Sequence, residues 1–186
     1  SKIEQLDLFT PQLIECAQII IEKRLNFIEK LKNIATNIHK FITIDENLDI
    51  SYSYINTSGL SIKADLQKEF DKVKLKEIDL GYTCVGPHRD DLIFKINGID
   101  CKYYSSQGQQ RTVALVVKLS LMEVIKNEIG EYPILLLDDV LSELDQNRQD
   151  RLIELISKYQ TLITCTKIPE TKIKYNIIKV ENGSII

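Results

Sequence analysis

The apolar positions between residues 11 and 40 recur in alternating steps of three and four: Ile14, Ala17, Ile21, Ile28, Leu31, Ala35 and Ile38, with Arg24 the sole interruption. That period marks one face of an α-helix. Thr10 is placed to cap it, and Pro11 suits a first helical position. A second stripe, Leu13, Ile20, Phe27, Ile34 and Phe41, repeats every seven residues. Two adjacent stripes predict a wide buried face with more than one neighbour, on a helix about 45 Å long. Such a helix looks like half of an arm or hairpin.

Leu48-Asp49-Ile50-Ser51-Tyr52-Ser53-Tyr54 then alternates strictly and predicts a half-buried antiparallel strand, between turn material at Asp45-Glu46-Asn47 and at 56–59. A helix over 62–76 carries Ile62, Leu66, Phe70 and Val73 on one side. Its lysines (Lys63, Lys68, Lys72, Lys74, Lys76) could touch phosphate. The plainer reading is a solvated face balanced by Asp65, Glu69, Asp71 and Glu77. Strands are expected at 82–85 and 92–96, the latter turning through Asn97-Gly98 into a partner over 99–103. An apolar helix over 109–127 follows. Pro133 precedes the run 134–137, which reads as a strand buried on both faces, as in a parallel sheet. A helix over 146–158, a second buried strand over 161–165 and a closing hairpin through Glu181-Asn182-Gly183 complete the chain. The second half has the order of an α/β sheet, and the whole is α+β.

Composition narrows the class. The 186 residues include 24 Lys+Arg and 27 Asp+Glu, a formal charge of −3. It is spread as −2 over residues 1–82 and −1 over 83–186. Neither part is a basic platform, so DNA affinity is expected to need more than this chain, a dimer or a local patch. No apolar run is long enough to span a bilayer, and no secretion signal opens the chain, which predicts a cytoplasmic protein with no membrane partner. Cys16, Cys84, Cys101 and Cys165 are scattered, and with two histidines they make a zinc site unpromising. The chain opens on Ser1, which is expected of a piece of a longer protein.

Two segments carry candidate chemistry. Ile134-Leu135-Leu136-Leu137-Asp138-Asp139 places two carboxylates where an interior strand emerges, the edge at which open α/β sheets bind ligands. One acid suits a hard cation such as Mg²⁺ and its neighbour suits orienting or deprotonating a water. A solvated strand end is the bland alternative. Ser105-Ser106-Gln107-Gly108-Gln109-Gln110-Arg111-Thr112 opens the apolar helix. Free N–H groups there attract phosphate, and a glycine lets a ligand approach the backbone; a serine cap also starts ordinary helices. His88-Arg89-Asp90 echoes a kinase catalytic loop, but the echo fails, because Lys95 stands where an Asn is required.

Gly86-Pro87-His88-Arg89-Asp90-Asp91-Leu92, Ser106-Gln107-Gly108-Gln109-Gln110-Arg111-Thr112 and Leu136-Leu137-Asp138-Asp139-Val140-Leu141-Ser142-Glu143-Leu144-Asp145, in that order, resemble the RecF family of bacterial DNA repair proteins with ABC/SMC-like heads. The helix around Ile19-Ile20-Ile21-Glu22-Lys23-Arg24-Leu25 resembles its arm. The resemblance implies an arm domain over 1–82 and the C-terminal lobe of an ABC-type ATPase head over 83–186. It implies Asp138 on Mg²⁺ and Asp139 at the catalytic carboxylate position. Ser106, Gly108 and Gln109 would meet the γ-phosphate of ATP bound to the opposite subunit, with Ser142 and Asp145 in the loop between subunits. His88, Arg89, Arg111, Thr166 and Lys167 become candidate nucleotide or interdomain contacts, and the family's switch histidine is missing near Thr166.

The implied cofactors are ATP and Mg²⁺. The implied partners are DNA at gaps and single-strand/double-strand junctions, RecR and RecO, indirectly RecA, and a second copy in an ATP-dependent homodimer. None of the seven glycines is followed by the Lys-Ser/Thr of a phosphate loop; Gly81 to Gly86 has the spacing but leads into Pro87-His88. ATP turnover is therefore expected only from a longer protein. The competing readings are a non-enzymatic interaction arm and half of another SMC-like or transporter ATPase.

Overall fold

The computed structural model describes residues 2–55, 61–169, 171 and 173–186, so the turn expected at 56–59 lies outside the described residues. Helix α1 (Lys2–Thr43) is the spine, about 60 Å long at 1.5 Å per residue. The expected start at Thr10 and Pro11 is corrected, because Pro11 lies inside the helix. A proline there cannot donate to the carbonyl one turn back. Side chains tie that turn instead: Thr10 Oγ1 donates to the Leu6 carbonyl at 2.7 Å, and Lys74 holds the Asp7 carboxylate at 2.5 Å.

All seven residues of the first stripe are buried. Near its start, Ile14, Ala17 and Ile21 pack with Leu66, Phe70 and Val85. Helix α2 (Ile62–Leu80) supplies Leu66 and Phe70; Ser61 caps it and Gly81, in the left-handed region at φ 75°, ends it. Further along, Ile28, Ala35, Ile38 and Ile42 join the larger core with Val116, Leu119 and Leu152. The second stripe is corrected: Leu13, Ile20, Phe27 and Phe41 are exposed, and Ile34 is partly packed. Among the described residues, the two core clusters that pack on α1 are built on its first stripe. Asp65 and Glu77, expected on a solvated face, are buried too. Glu77 Oε1 accepts from the Cys84 amide at 2.5 Å. Lys72 pairs with Glu69, as the plainer reading of that helix requires, while Lys63 pairs with Glu15 of α1.

Strand β1 (Leu48–Ser53) pairs antiparallel with β2 (Asp91–Ile96), Leu48 opposite Ile96 and Ser53 opposite Asp91. This sheet and the larger core join residues before 82 to residues after it. The Asn97-Gly98 turn has both φ values positive, 51° and 82°, as a two-residue hairpin requires. Its outgoing strand β3 (Ile99–Asp100) is shorter than expected, because Asp100 accepts from the Lys102 amide and caps a single helical turn, α3 (Cys101–Tyr104). No strand forms at 82–85. The Cys84 amide is taken by Glu77, and the Thr83 carbonyl faces His88 and Arg89.

Helix α4 (Gln107–Ile129) crosses the core; full burial of each Leu119-sized side chain contributes about 1.5–3 kcal/mol. Strand β4 (Leu135–Asp138) runs parallel to β5 (Thr161–Thr164), with a 3-10 turn (Val140–Glu143) and α5 (Gln146–Ile156) between them. Burial on both faces is corrected as well. Leu135 and Leu137 are buried against the core, but Leu136 is 71% and Leu162 54% exposed. Parallel sheets are ordinarily covered on both faces, and among the described residues no layer covers the second. The chain closes on β6 (Val180–Glu181) and β7 (Ser184–Ile185), joined through Asn182 and Gly183 in the left-handed region.

Candidate functional site

The start of α4 is a reciprocal cap. Ser106 Oγ accepts from the Gln109 amide (3.2 Å), and Gln109 Oε1 accepts from the Ser106 amide (3.0 Å). The Ser106 hydroxyl hydrogen remains available to an outside acceptor, and Ser106 itself is exposed. Gln109 is turned inward, with its Nε2 donating to Glu46 Oε1 at 3.0 Å. Gly108 sits between them in the first turn. A Cβ built on it meets nothing within 4 Å among the described residues. Its φ is not in the left-handed region, so neither packing nor backbone geometry calls for glycine here.

At the end of β4, parallel pairing sets Asp138 opposite Thr164. Thr164 Oγ1 donates to Asp138 Oδ1 at 2.5 Å and accepts from the Asp139 amide at 3.0 Å. Asp139 is held in the left-handed region at φ 48°, a conformation that a non-glycine residue adopts at a cost of about 1–2 kcal/mol. Both acids are exposed. Among the described residues no group of three His, Cys, Asp or Glu side chains could cage a metal. An exposed carboxylate pair nonetheless fits Mg²⁺ that arrives on a nucleotide, since that ion takes one or two carboxylates and completes its shell with phosphate and water.

The loop after the acids is pinned from within. Ser142 Oγ donates to the Asp139 carbonyl (2.9 Å), and Gln149 Nε2 donates to the Leu141 and Leu144 carbonyls (2.7 and 2.9 Å). Asp145 caps α5 by accepting from the Arg148 amide. Arg111 of α4 reaches Glu143 of this loop at 3.1 Å, so the helix start and the loop are tied together. Arg148 strengthens that tie, donating to Thr112 Oγ1 (3.1 Å) and to Glu46 Oε1 (3.3 Å).

His88 and Arg89 are exposed and face their own turn: His88 Nε2 lies 3.0 Å from the Thr83 carbonyl, and Arg89 stacks over Tyr82 at 5.4 Å. The third residue, Asp90, is half-buried with its side chain only 3% exposed, and it accepts from Tyr52 and pairs with Arg24 at 3.5 Å. Arg24 also donates to the Pro87 carbonyl at 2.6 Å, which explains a charged residue in the apolar stripe. Burial and the bond to Asp90 push the Tyr52 phenol up, with Arg24 opposing. Thr166 and Lys167 are exposed in the bend beyond β5. Sequence reasoning overlooked Thr164, legible only as the strand residue in register with Asp138. It also overlooked Glu46 and Arg148, whose partners lie far along the chain.

No family model matches the chain. It is 44% identical to the DNA replication and repair protein RecF of Oceanobacillus iheyensis, over all of this chain and 53% of that protein. It is 42% identical to that of Clostridium tetani and 44% to that of Bacillus velezensis, over 97% of this chain and 52% of each relative. The chain thus spans about half the length of these relatives, corresponding to their C-terminal half. A solved structure of the recombination mediator RecF with ATP, in the RecFOR pathway, superposes with a TM-score of 0.75 at 38% identity, covering 88% of this chain and 45% of that one. A RecF–ATPγS structure gives 0.79 at 35%, covering 98% and 50%. With its motifs, its mixed helix-and-sheet fold and this identity along its whole length in agreement, the chain belongs to the RecF family.

Proposed function

We propose that this chain provides the arm and second lobe of an ATP-gated, dimerising DNA-repair clamp, which acts at single-strand gaps and junctions with RecR and RecO and, through them, RecA. Residues 1–82 form the arm portion and 83–186 the lobe. In this reading Asp138 shares Mg²⁺ with ATP, and Asp139 orients the attacking water. Magnesium-bound ATP supplies the phosphoryl bond and a charge that two copies can share. Ser106 and the backbone at Gly108 face the γ-phosphate held by the opposite subunit, with Gln109 fixing the helix start that presents them. Ser142 and Asp145 lie in the loop that faces the partner copy, and Arg111 braces that loop through Glu143. The exposed Leu136/Leu162 face and the second stripe of α1 are surfaces for the rest of the protein to cover. The phosphate loop belongs to that other part, so this chain alone does not turn over ATP.

The observation that carries the reading is Gly108. In a first helical turn alanine outranks glycine by up to about 1 kcal/mol, and among the described residues nothing occupies the space before Gly108. A close external contact explains the glycine, and a phosphate matches the exposed N–H groups beside it. The test is Gly108→Asp in the full-length protein. A carboxylate in the first turn favours the helix dipole, so Tm is unchanged or higher. It repels a phosphate, so ATP-dependent dimerisation measured by sedimentation falls at least about tenfold. Native dimerisation by that variant refutes the reading.

A further inference from the structure

The polar contacts around Glu46 form an unbroken chain between three elements that the proposed reaction uses separately. Glu46 lies in the loop between α1 and β1. Its Oε1 accepts from Gln109 Nε2 (3.0 Å) at the start of α4 and from Arg148 (3.3 Å) at the start of α5. Arg148 continues to Thr112 of α4 (3.1 Å) and back to Asp145, the cap of its own helix (3.3 Å). On the other side, the Glu46 carbonyl lies 3.3 Å from Nδ1 of His39, a fully buried residue in the last turns of α1. Glu46 Oε2 stands 3.6 Å from His39 Nε2, and neither atom has a hydrogen-bond partner among the described residues.

The two helix starts joined by this carboxylate are those bearing the Ser106–Gly108 and Ser142–Asp145 motifs. Glu46 itself reaches no outside ligand through these contacts, for its Oε1 is spent on Gln109 and Arg148. We propose that Glu46 is a positioning residue: by clamping Gln109 to Arg148 it fixes how the α4 start and the loop before α5 stand relative to each other, and through His39 it ties both to the end of the long helix. The inference rests on the dimer reading above and deepens it. A displacement of α1 relative to the lobe is then felt at the surface that meets the second subunit. An ordinary surface ion pair does not do this, because it orders two side chains and not two helix starts.

The experiment uses the full-length protein and three readouts: Tm, affinity for a fluorescent ATP analogue, and ATP-dependent dimerisation by sedimentation. Glu46→Ala is expected to leave nucleotide affinity within about twofold and to weaken dimerisation at least about tenfold, the split of a residue that shapes the second subunit's contact and not the nucleotide cradle. Glu46→Gln keeps an acceptor oxygen for Gln109 and Arg148, and restores dimerisation to within about threefold of native. Arg148→Met repeats the loss, and adding it to Glu46→Ala costs little more, since both remove one clamp. Leu66→Ala, a core truncation between α1 and α2, lowers Tm yet dimerises normally where it is folded. Should Glu46→Ala not fold, Glu46→Gln and Arg148→Met carry the same expectations. Native dimerisation by Glu46→Ala or Arg148→Met overturns the proposal, as does failure of Glu46→Gln to rescue or an equal loss from Leu66→Ala. Gly108→Asp separates the two levels: if it dimerises normally, the dimer reading fails and the role of Glu46 falls with it. If it fails to dimerise while Glu46→Ala dimerises normally, the role of Glu46 alone is wrong.

Discussion

The long helix is fastened to the rest of the chain at two points by the same kind of device. Midway, Arg24 and Tyr52 close on the buried carboxylate of Asp90. Near its end, His39 and the following loop close on Glu46, which Gln109 and Arg148 hold from the other side. The difference is what lies beyond each carboxylate. Behind Asp90 there is a turn whose own polar side chains, His88 and Arg89, face its backbone at Thr83. Behind Glu46 stand the starts of two helices with exposed ends. A polar clamp of one chemistry thus secures the fold at one site and, in the proposed reading, sets a reactive surface at the other.

The largest effect expected from breaking this symmetry is at Asp90. Its side chain is 3% exposed and accepts from Tyr52 and Arg24. Asp90→Ala leaves that phenol without its acceptor and should cost about 2–3 kcal/mol, read as a lower urea midpoint at unchanged m-value. At temperatures where the variant is folded, its ATP-dependent dimerisation should match native. A dimerisation defect in the folded variant would erase the distinction between the two fastenings.

How much of this was visible in the sequence depends on the distance over which each interaction acts. Ser106 as a serine cap was legible, as were the Asn97-Gly98 turn and the first stripe of α1, whereas the reciprocal role of Gln109, inside a helix that starts at Gln107, was not. Arg24 announced itself by interrupting that stripe, but its partner stands 66 residues away. Glu46 sits among turn residues, Asp45 and Asn47, and its partners lie 63 and 102 residues on. No local period marks it. The second stripe and the 134–137 run were read as buried because apolar pattern reports what a segment can cover, not what is present to cover it. Residues 82–85 have strand composition, but among the described residues no strand pairs with them.

A smaller effect separates the clamps by pH. Burial holds the His39 imidazolium pKa below the ordinary histidine value, with Glu46 opposing and Arg148 reinforcing. Below about pH 6.5 the unfolded chain therefore takes up a proton that the folded chain resists, so stability falls as pH drops through that value and is flat just above it. His39→Gln should flatten this contribution in urea titrations between about pH 5 and 7.5. At the other clamp, the shifted groups Tyr52 and Arg24 are both raised from ordinary values far above that window. Tyr52→Phe should therefore leave the slope in place. An unchanged slope in His39→Gln would show that the buried imidazole is not what couples this end of α1 to acid.

The smallest effect lies in the loop between α1 and β1, at Ile44. It follows the last turn of α1 in the left-handed region at φ 62°, with its amide donating to the Lys40 carbonyl at 3.1 Å. A β-branched residue pays about 1–2 kcal/mol for that conformation, and its side chain, being exposed, recovers little of it by burial. Glycine removes the steric cost and adds about 0.5–1 kcal/mol of unfolded-state entropy, so Ile44→Gly should gain under about 1 kcal/mol and raise Tm by some 2–4 °C at most. The turn geometry that delivers Glu46 is set by the helix end and by β1, not by the isoleucine side chain, so dimerisation should not change. A lower Tm together with weaker dimerisation would mean that the side chain itself holds the loop in place, and the fastening at Glu46 would then extend one residue further into solvent than its hydrogen bonds indicate.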